Sequence, residues 1–331
     1  MLSAKACLTP RHPVPCCAPT AGGARLGAPA FARYVLLLQQ PRRAYPSDLS
    51  APRWALIEST LPAWRVERRS RAPAFARPPE YDLREIVNAI LYVDRTGVQW
   101  RCLPHGFPPW ETVYGYFAKW QKDGVLAQAH GVAAGIGAAA GGPAGGAVGL
   151  CDRRAERQDV HQHPRHEQGT DAGKKIVGRK RSLVTDTLGL LLAVLATAAD
   201  VQDPAAGTQL LDQVAAAHPC LRKVWVDGGC RRHLVEHAAS LGIDMENVAR
   251  TPGIRGFTPI PKRWTVERTY GRLMFHRRLA RDYETLPARS EAVIHLAMAD
   301  LLARRLAARP PCPGANRPNT ANRADRGETT G

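Results

Sequence analysis

Residues 131–150 read GVAAGIGAAAGGPAGGAVGL, and residues 151–169 continue CDRRAERQDVHQHPRHEQG. Neither stretch carries an apolar period, yet the chain on both sides is well patterned. Whatever these 331 residues fold into must therefore be assembled from two organised portions, 44–126 and 168–308, on either side of an interruption. The length suffices for one large or two modest domains, each able to bury a core.

The upstream portion predicts helices. In YPSDLSAPRWALIESTLPAW, Ser and Asp start a helix on which Trp54, Ile57 and Leu61 share one face. EYDLREIVNAILYVDRTG gives a second helix, with Leu83, Ile86, Ile90 and Leu91 apolar and Gly97 closing it. PPWETVYGYFAKWQKDG gives a third, opened by prolines and stopped by Gly124, with Trp110, Val113, Phe117 and Trp120 as its core face. A small helical bundle with basic edges is a common form of DNA-binding module.

The downstream portion mixes strands and helices. Residues 175–185 and 189–198 flank the turn TDTLG and predict an antiparallel hairpin. GTQLLDQVAAAHP reads as a helix, KVWVDGG as a buried strand, RRHLVEHAASLG as a helix and MENVAR as a strand. RWTVERTYGRLMFHRRLARDYE predicts one long helix, and PARSEAVIHLAMADLLARRLAA another. That order gives an α/β class, a mixed sheet flanked by helices.

Charge narrows the function. Lys and Arg number 46 against 29 Asp and Glu, a net +17, and this excess points first to nucleic acid. No apolar run reaches the ~20 residues that cross a bilayer, so the chain reads as soluble. The eight cysteines show no paired C-x-x-C spacing, which argues against zinc or disulfide architecture and for a reducing cytoplasm. Residues 1–43 hold no Asp or Glu and read as a disordered basic extension, nearer to translated upstream sequence than to an organelle transit peptide. The proline-rich stretch 309–331 reads as a disordered tail.

Two acids stand out. Asp227 ends the strand KVWVD and is followed by Gly228 and Gly229, at the edge where open α/β sheets gather ligands. The same text also makes an ordinary turn. Glu267 lies at the rim of a stripe formed by Val266, Tyr270 and Leu273, with Arg263 one turn earlier. It reads equally as half of a surface ion pair.

The longer text is more specific. DAGKKIVGRKR, DTLGLLLAV, VWVDGG, RWTVERTYG and RRLARDYE, in that order, resemble the catalytic half of the bacterial DDE transposases of the IS4/IS5 type. WRCLPHGFPPWETVYGYFAKWQKDG resembles their N-terminal helical module. The resemblance covers 44–126 and 168–306, and departs from the family pattern at Cys102, Cys230 and Arg272.

It implies a ribonuclease H-like fold in which three acids hold two Mg²⁺ ions, or Mn²⁺ in their place, for phosphoryl transfer on DNA. Asp227 would be the second acid and Glu267 the third. Lys174, Lys175, Arg179, Lys180, Arg181, Arg263 and Arg268 would contact phosphates of the element ends and target DNA. A homodimer in the DNA complex, located in the cytoplasm at the nucleoid, follows from the same resemblance.

The family's first acid belongs to an apolar-Ile-Asp-(Ser/Ala)-Gln-Ser-Val-Lys motif, due shortly before DAGKK and absent there. Codons permitted for Cys151 to Pro164, read one nucleotide later, spell Ala-Ile-Asp-Ala-Gln-Ser-Val-Lys. Two compensating frameshifts, near 128–131 and 164–168, therefore account for the interruption, with 127–167 out of frame and the sheet's central strand lost. Asp152 stands within about one residue of the expected acid and, after a poor strand AVGLC, is the candidate to substitute for it, with Arg153 and Arg154 opposing the metals electrostatically. On this account His161, His163 and His166 are accidental and form no metal site.

Overall fold

The computed structural model describes residues 42–71, 80–141, 147–150, 154–157, 169–171, 175–227, 232–248 and 262–308, with backbone alone at 137–141, 147–150, 154–157, 227 and 263. Met1–Arg43 and Ala44–Gly331 form separate units, and the architecture below belongs to the second. The basic extension before residue 42 and the tail from 309 lie outside the described residues.

Among the described residues five α-helices come first. α1 (Ala51–Ala55) and α2 (Thr60–Ser70) replace the single helix expected there. Pro62 explains the break, because proline is tolerated only in a helix's first turn, so a new helix must begin just before it. Ile57 and Leu61 are still buried. α3 (Leu83–Thr96) starts at Asp82, whose carboxylate accepts from the Arg84 N–H, and stops at Gly97, with φ 75°. Any Cβ at Gly97 would also lie 3.1 Å from the Arg277 Cβ, so both backbone conformation and close approach require glycine. α4 (Trp110–Lys122) buries Val113, Phe117 and Trp120, as its spacing predicts. α5 (Val125–Gly141) carries helix into the Ala/Gly stretch and buries Leu126, Ala129, His130 and Ala133.

Among the described residues the sheet has seven strands: β1 (Ala147–Leu150), β2 (Arg154–Arg157), β3 (Gly169–Asp171), β4 (Ile176–Asp186), β5 (Leu191–Ala198), β6 (Lys223–Asp227) and β7 (Asp244–Val248). β4 and β5 are the expected hairpin, antiparallel from Arg179↔Ala198 to Thr185↔Leu191. Residues 179–181 of β4 pair with β5 on one side and β2 on the other, and Val184 and Thr185 pair with β5 and β1. β1 and β2 thus follow each other along one edge of β4. The spatial order β5–β4–β1–β6–β7, with β6 parallel to both β1 and β7, is that of a ribonuclease H-like mixed sheet.

One expectation is corrected here. The central position is filled: Ala147–Leu150 pairs antiparallel with β4 and reaches β6 at Leu150↔Val226.

α6 (Asp203–Ala217) and α7 (Arg232–Ser240) pack with the sheet around Leu210, Leu211, Val224 and Leu234. α8 (Arg263–Leu273) is shorter than the helix expected over 263–284. His276 is wholly buried beside Asp94, so the chain turns inward at Met274–His276, forms a 3₁₀ turn at Arg277–Ala280, and continues extended to α9 (Pro287–Ala307).

One core cluster runs from Leu49 and Leu61 through Ile90, Phe117 and Trp120 to Leu183, Val266, Leu279 and Ile294, separate from the cluster under α6 and α7. The N-terminal helices and the sheet's helical cover therefore share their burial rather than forming independent bodies.

Candidate catalytic and DNA-contacting site

Asp227 is the last residue of β6, its Cα paired with Val248 of β7. Val224 and Val226 are buried, which fixes the strand between β1 and β7. Leu150, the last residue of β1, lies beside Val226, so the ends of these two parallel strands reach the sheet edge together. Asp152 lies outside the described residues, as do His161, His163 and His166.

The helix that carries Glu267, α8, packs against β1, β4 and β6. Val266, Tyr270 and Leu273 are buried as their period predicts, leaving Glu267 half-exposed at the rim. Three contacts hold the helix in place. The Tyr270 hydroxyl donates to the Arg181 carbonyl of β4. The Thr269 hydroxyl lies 3.0 Å from the Gly189 carbonyl in the β4–β5 turn, and Arg268 Nη2 donates to the Leu188 carbonyl at 3.2 Å.

The turn is itself rigid. The Asp186 carboxylate accepts from the Leu188 and Leu190 N–H groups at 2.8 and 2.7 Å. Burial pushes that carboxyl above its usual range, against the opposing pull of these N–H groups. Gly189 has φ +81°, and a Cβ there would stand 2.8 Å from Thr269 Oγ1. Arg305 of α9 is pushed below its ordinary value, first by burial and then by neighbouring Arg268, with Asp186 opposing.

The basic residues divide. Arg179 is fully buried: Nη1 meets Asp282 Oδ2 at 3.2 Å and the Glu284 carbonyl at 3.0 Å, and Nη2 donates to the Thr285 carbonyl. Arg181 is buried too, donating to the carbonyls of Leu279 and Arg281. The expectation that these two contact phosphates is corrected: they clamp the strap 279–285 onto β4, because a guanidinium taken out of water needs several fixed acceptors. Lys180 is half-buried, bonded to Asp203 and the Val201 carbonyl. Lys175 is exposed, and Arg268 stays at the rim. Lys174 and the Arg263 side chain lie outside the description.

Sequence reasoning missed a buried polar cluster. His276 Nδ1 is 2.5 Å from Asp94 Oδ2, and its Nε2 is 3.9 Å from Asp300. Asp300 also receives Arg53 and, at 2.8 Å, Arg304 Nε. Arg278 joins Glu284 at 2.7 Å and the Val98 carbonyl at 3.0 Å. Burial pushes the Asp94 and Glu284 carboxyls up, opposed by His276 and Arg278 respectively. The only signal in the text was the density of charge in DRTG and RRLARDYE, which spacing alone does not separate from a solvated face.

Among the described residues no three His, Cys, Asp or Glu side chains converge as metal ligands, and no helix is long and apolar enough to cross a membrane. Cys102 and Cys220 are exposed free thiols. The donor chemistry nonetheless suits a hard divalent cation: two carboxylate residues lie on elements in contact, β6 and α8.

Residues 49–130 match a family model described as transposases of the IS4/5 family (DUF4096), and residues 154–302 match a transposase DDE domain. No curated protein matches the chain at a significant level. With these two matches and the ribonuclease H-like strand order, the chain belongs to the IS4/IS5-like DDE transposases.

Proposed function

We propose that the chain cleaves DNA at the ends of an insertion sequence and joins the freed ends to target DNA. What supports this reading is that the Glu267-bearing helix α8 contacts β1 and also β6, the strand that Asp227 ends. In the first step water attacks a phosphodiester and the 3′-oxygen leaves as a hydroxyl. In the second, that 3′-hydroxyl attacks a target phosphodiester, displacing another 3′-oxygen.

Asp227, Glu267 and Asp152 are the carboxylates that would hold two Mg²⁺ ions, or Mn²⁺. Bound there, the metals would activate the attacking oxygen and stabilise the leaving one. Asp152 follows Leu150 by two residues, which limits its reach from the end of β1 to about 7 Å. Lys175 and Arg268 would position the phosphodiester backbone, with Lys174 and Arg263 beside them. Two copies would act on paired ends within the nucleoid.

A second reading has specific support. The residue that directly follows Leu150 is Cys151, and Asp152 is followed by two arginines that compete electrostatically with metal. On that reading this copy binds element ends without cutting, its first acid lost to the shifted frame.

One experiment separates the two. Purified chain is incubated with a labelled end fragment and Mg²⁺ or Mn²⁺, beside a version with residues 129–167 restored to the other frame. Cleavage by both, abolished by Asp227→Asn, supports the enzyme; a gel shift without cleavage by the unrestored chain supports the binder. If neither version shifts or cuts DNA, both readings fail.

A further inference from the structure

Lys262 immediately precedes α8, and its backbone has φ 72° and ψ −59°. Lys175 is the other non-glycine residue with positive φ among the described residues. A residue with a side chain keeps such a conformation only where its surroundings hold it there. At Lys262 the contact available to do so is aromatic: the ammonium lies 4.4 Å from the centroid of the Trp225 ring on β6. We infer that Lys262 is a positioning residue, whose seat on Trp225 fixes where α8 starts over β6 and so the spacing between the elements that carry Glu267 and Asp227. The inference rests on the transposase reading above for the use made of that spacing.

The seat is itself fixed. The Trp225 indole N–H donates to Glu246 Oε2 of β7 at 3.2 Å, which ties the ring to two parallel strands. Glu246 is in turn met by Lys223 Nζ at 2.9 Å, and Lys223 reaches Asp244 at 3.0 Å. Lys223 also lies 5.7 Å from the Trp225 centroid, but its charge is committed to those two carboxylates. Lys262 makes no ion pair among the described residues, and an indole face is the best aromatic seat for an ammonium.

Position gives the contact its leverage. Trp225 stands two residues before Asp227, about 7 Å along the strand, and Lys262 stands five before Glu267, about 7.5 Å along the helix. The anchors at Arg268, Thr269 and Tyr270 all follow Glu267 and reach β4 or its turn. Lys262 precedes Glu267 and reaches β6, so the helix is held on both sides of its acid. Five residues are less than two helical turns, and a displacement at Lys262 is carried to Glu267.

The test measures Mn²⁺ binding to the full chain through loss of the free-ion EPR signal, a readout that does not depend on cleavage. Asp227→Asn identifies which binding belongs to the acids. Lys262→Met should weaken that site about three- to fivefold, and Lys262→Arg, which keeps a cation over the ring, should restore it. Trp225→Leu should weaken it as much, and adding Lys262→Met to Trp225→Leu should change nothing further. Thermal midpoints confirm that each variant folds, and if one of Lys262→Met and Trp225→Leu does not, the other decides. Simple loss of a positive charge acts in the opposite direction, tightening a cation site. Unchanged or tighter Mn²⁺ binding in either variant therefore overturns this inference and leaves the transposase reading intact. A wild-type chain that binds no Mn²⁺, or binds it equally well after Asp227→Asn, overturns the metal assignment in that reading and this inference with it.

Discussion

His276 Nδ1 lies 2.5 Å from Asp94 Oδ2, joining the segment after the Glu267-bearing helix to the middle of α3, 182 residues earlier. Both side chains are buried, and Asp300 faces the other side of the imidazole. Removing one member leaves the other without its partner inside the core. Asp94→Ala should therefore cost about 3–5 kcal/mol in urea-induced unfolding. Because the N-terminal helices share a core cluster with β4, β5, α8 and α9, a fragment covering 142–308, which keeps every strand of the sheet, should give a poorly dispersed amide NMR spectrum. A well-dispersed spectrum from that fragment would refute the shared-core account.

Acid should weaken the fold well before the carboxylates titrate. Burial pushes His130 down to about 3, helped by His295 and His218, and pushes His295 down to about 4, against an ordinary value of 6.5. Below 6.5 the unfolded chain takes up protons that the folded chain refuses, so stability falls with pH until the folded values are reached. The slope should approach about 1.4 kcal/mol per pH unit for each histidine. His130→Phe should flatten it between pH 6.5 and 5. An equal slope in wild type and variant would remove His130 as the cause.

Gly189→Ala should destabilise by more than the ~1–2 kcal/mol of a left-handed alanine, since the new Cβ also meets Thr269 Oγ1. Thermal unfolding reads this directly. The same change should reduce cleavage in the restored-frame chain beyond its effect on stability, because the turn supports α8. Loss of stability with full cleavage at low temperature would separate the turn from the site.

Arg179 and Lys175 should behave oppositely. Arg179→Gln should cost about 3–5 kcal/mol, because Asp282 Oδ2 and the Glu284 and Thr285 carbonyls lose a buried guanidinium, while duplex affinity per folded molecule holds. Lys175→Gln should leave the melting temperature within a degree or so and weaken duplex binding. Reduced duplex affinity in fully folded Arg179→Gln would restore that residue to the DNA surface.

Local text carried much of the architecture. The hairpin, β6, α3 and α4 were legible because apolar period and turn residues act within a few positions: TDTLG bounds the β4–β5 turn, and Asp82 and Gly97 bound α3. Asp227 and Glu267 were legible as individual residues, and the crossing of α8 over β6 that brings their elements together was not. Arginines in GRKR look alike whether they meet phosphate or the carbonyls of a strap about 100 residues away, so Arg179 and Arg181 were misassigned. The break after Leu273 depends on Asp94 and Asp300, which a helical pattern cannot see. An Ala/Gly run gives no period, yet its backbone can fill a vacant place beside β4 and β6.

The bonds from Arg53, Asp94 and Val98 to Asp300, His276 and Arg278 leave no slack between the first helices and the chain that carries Glu267. A duplex that touched those first helices and was cut at the sheet edge would then be measured by a caliper with fixed jaws. The number of base pairs between the gripped sequence and the broken bond would be a property of the fold, and inserting a single pair there would rotate the scissile phosphate about a tenth of a turn away from the acids.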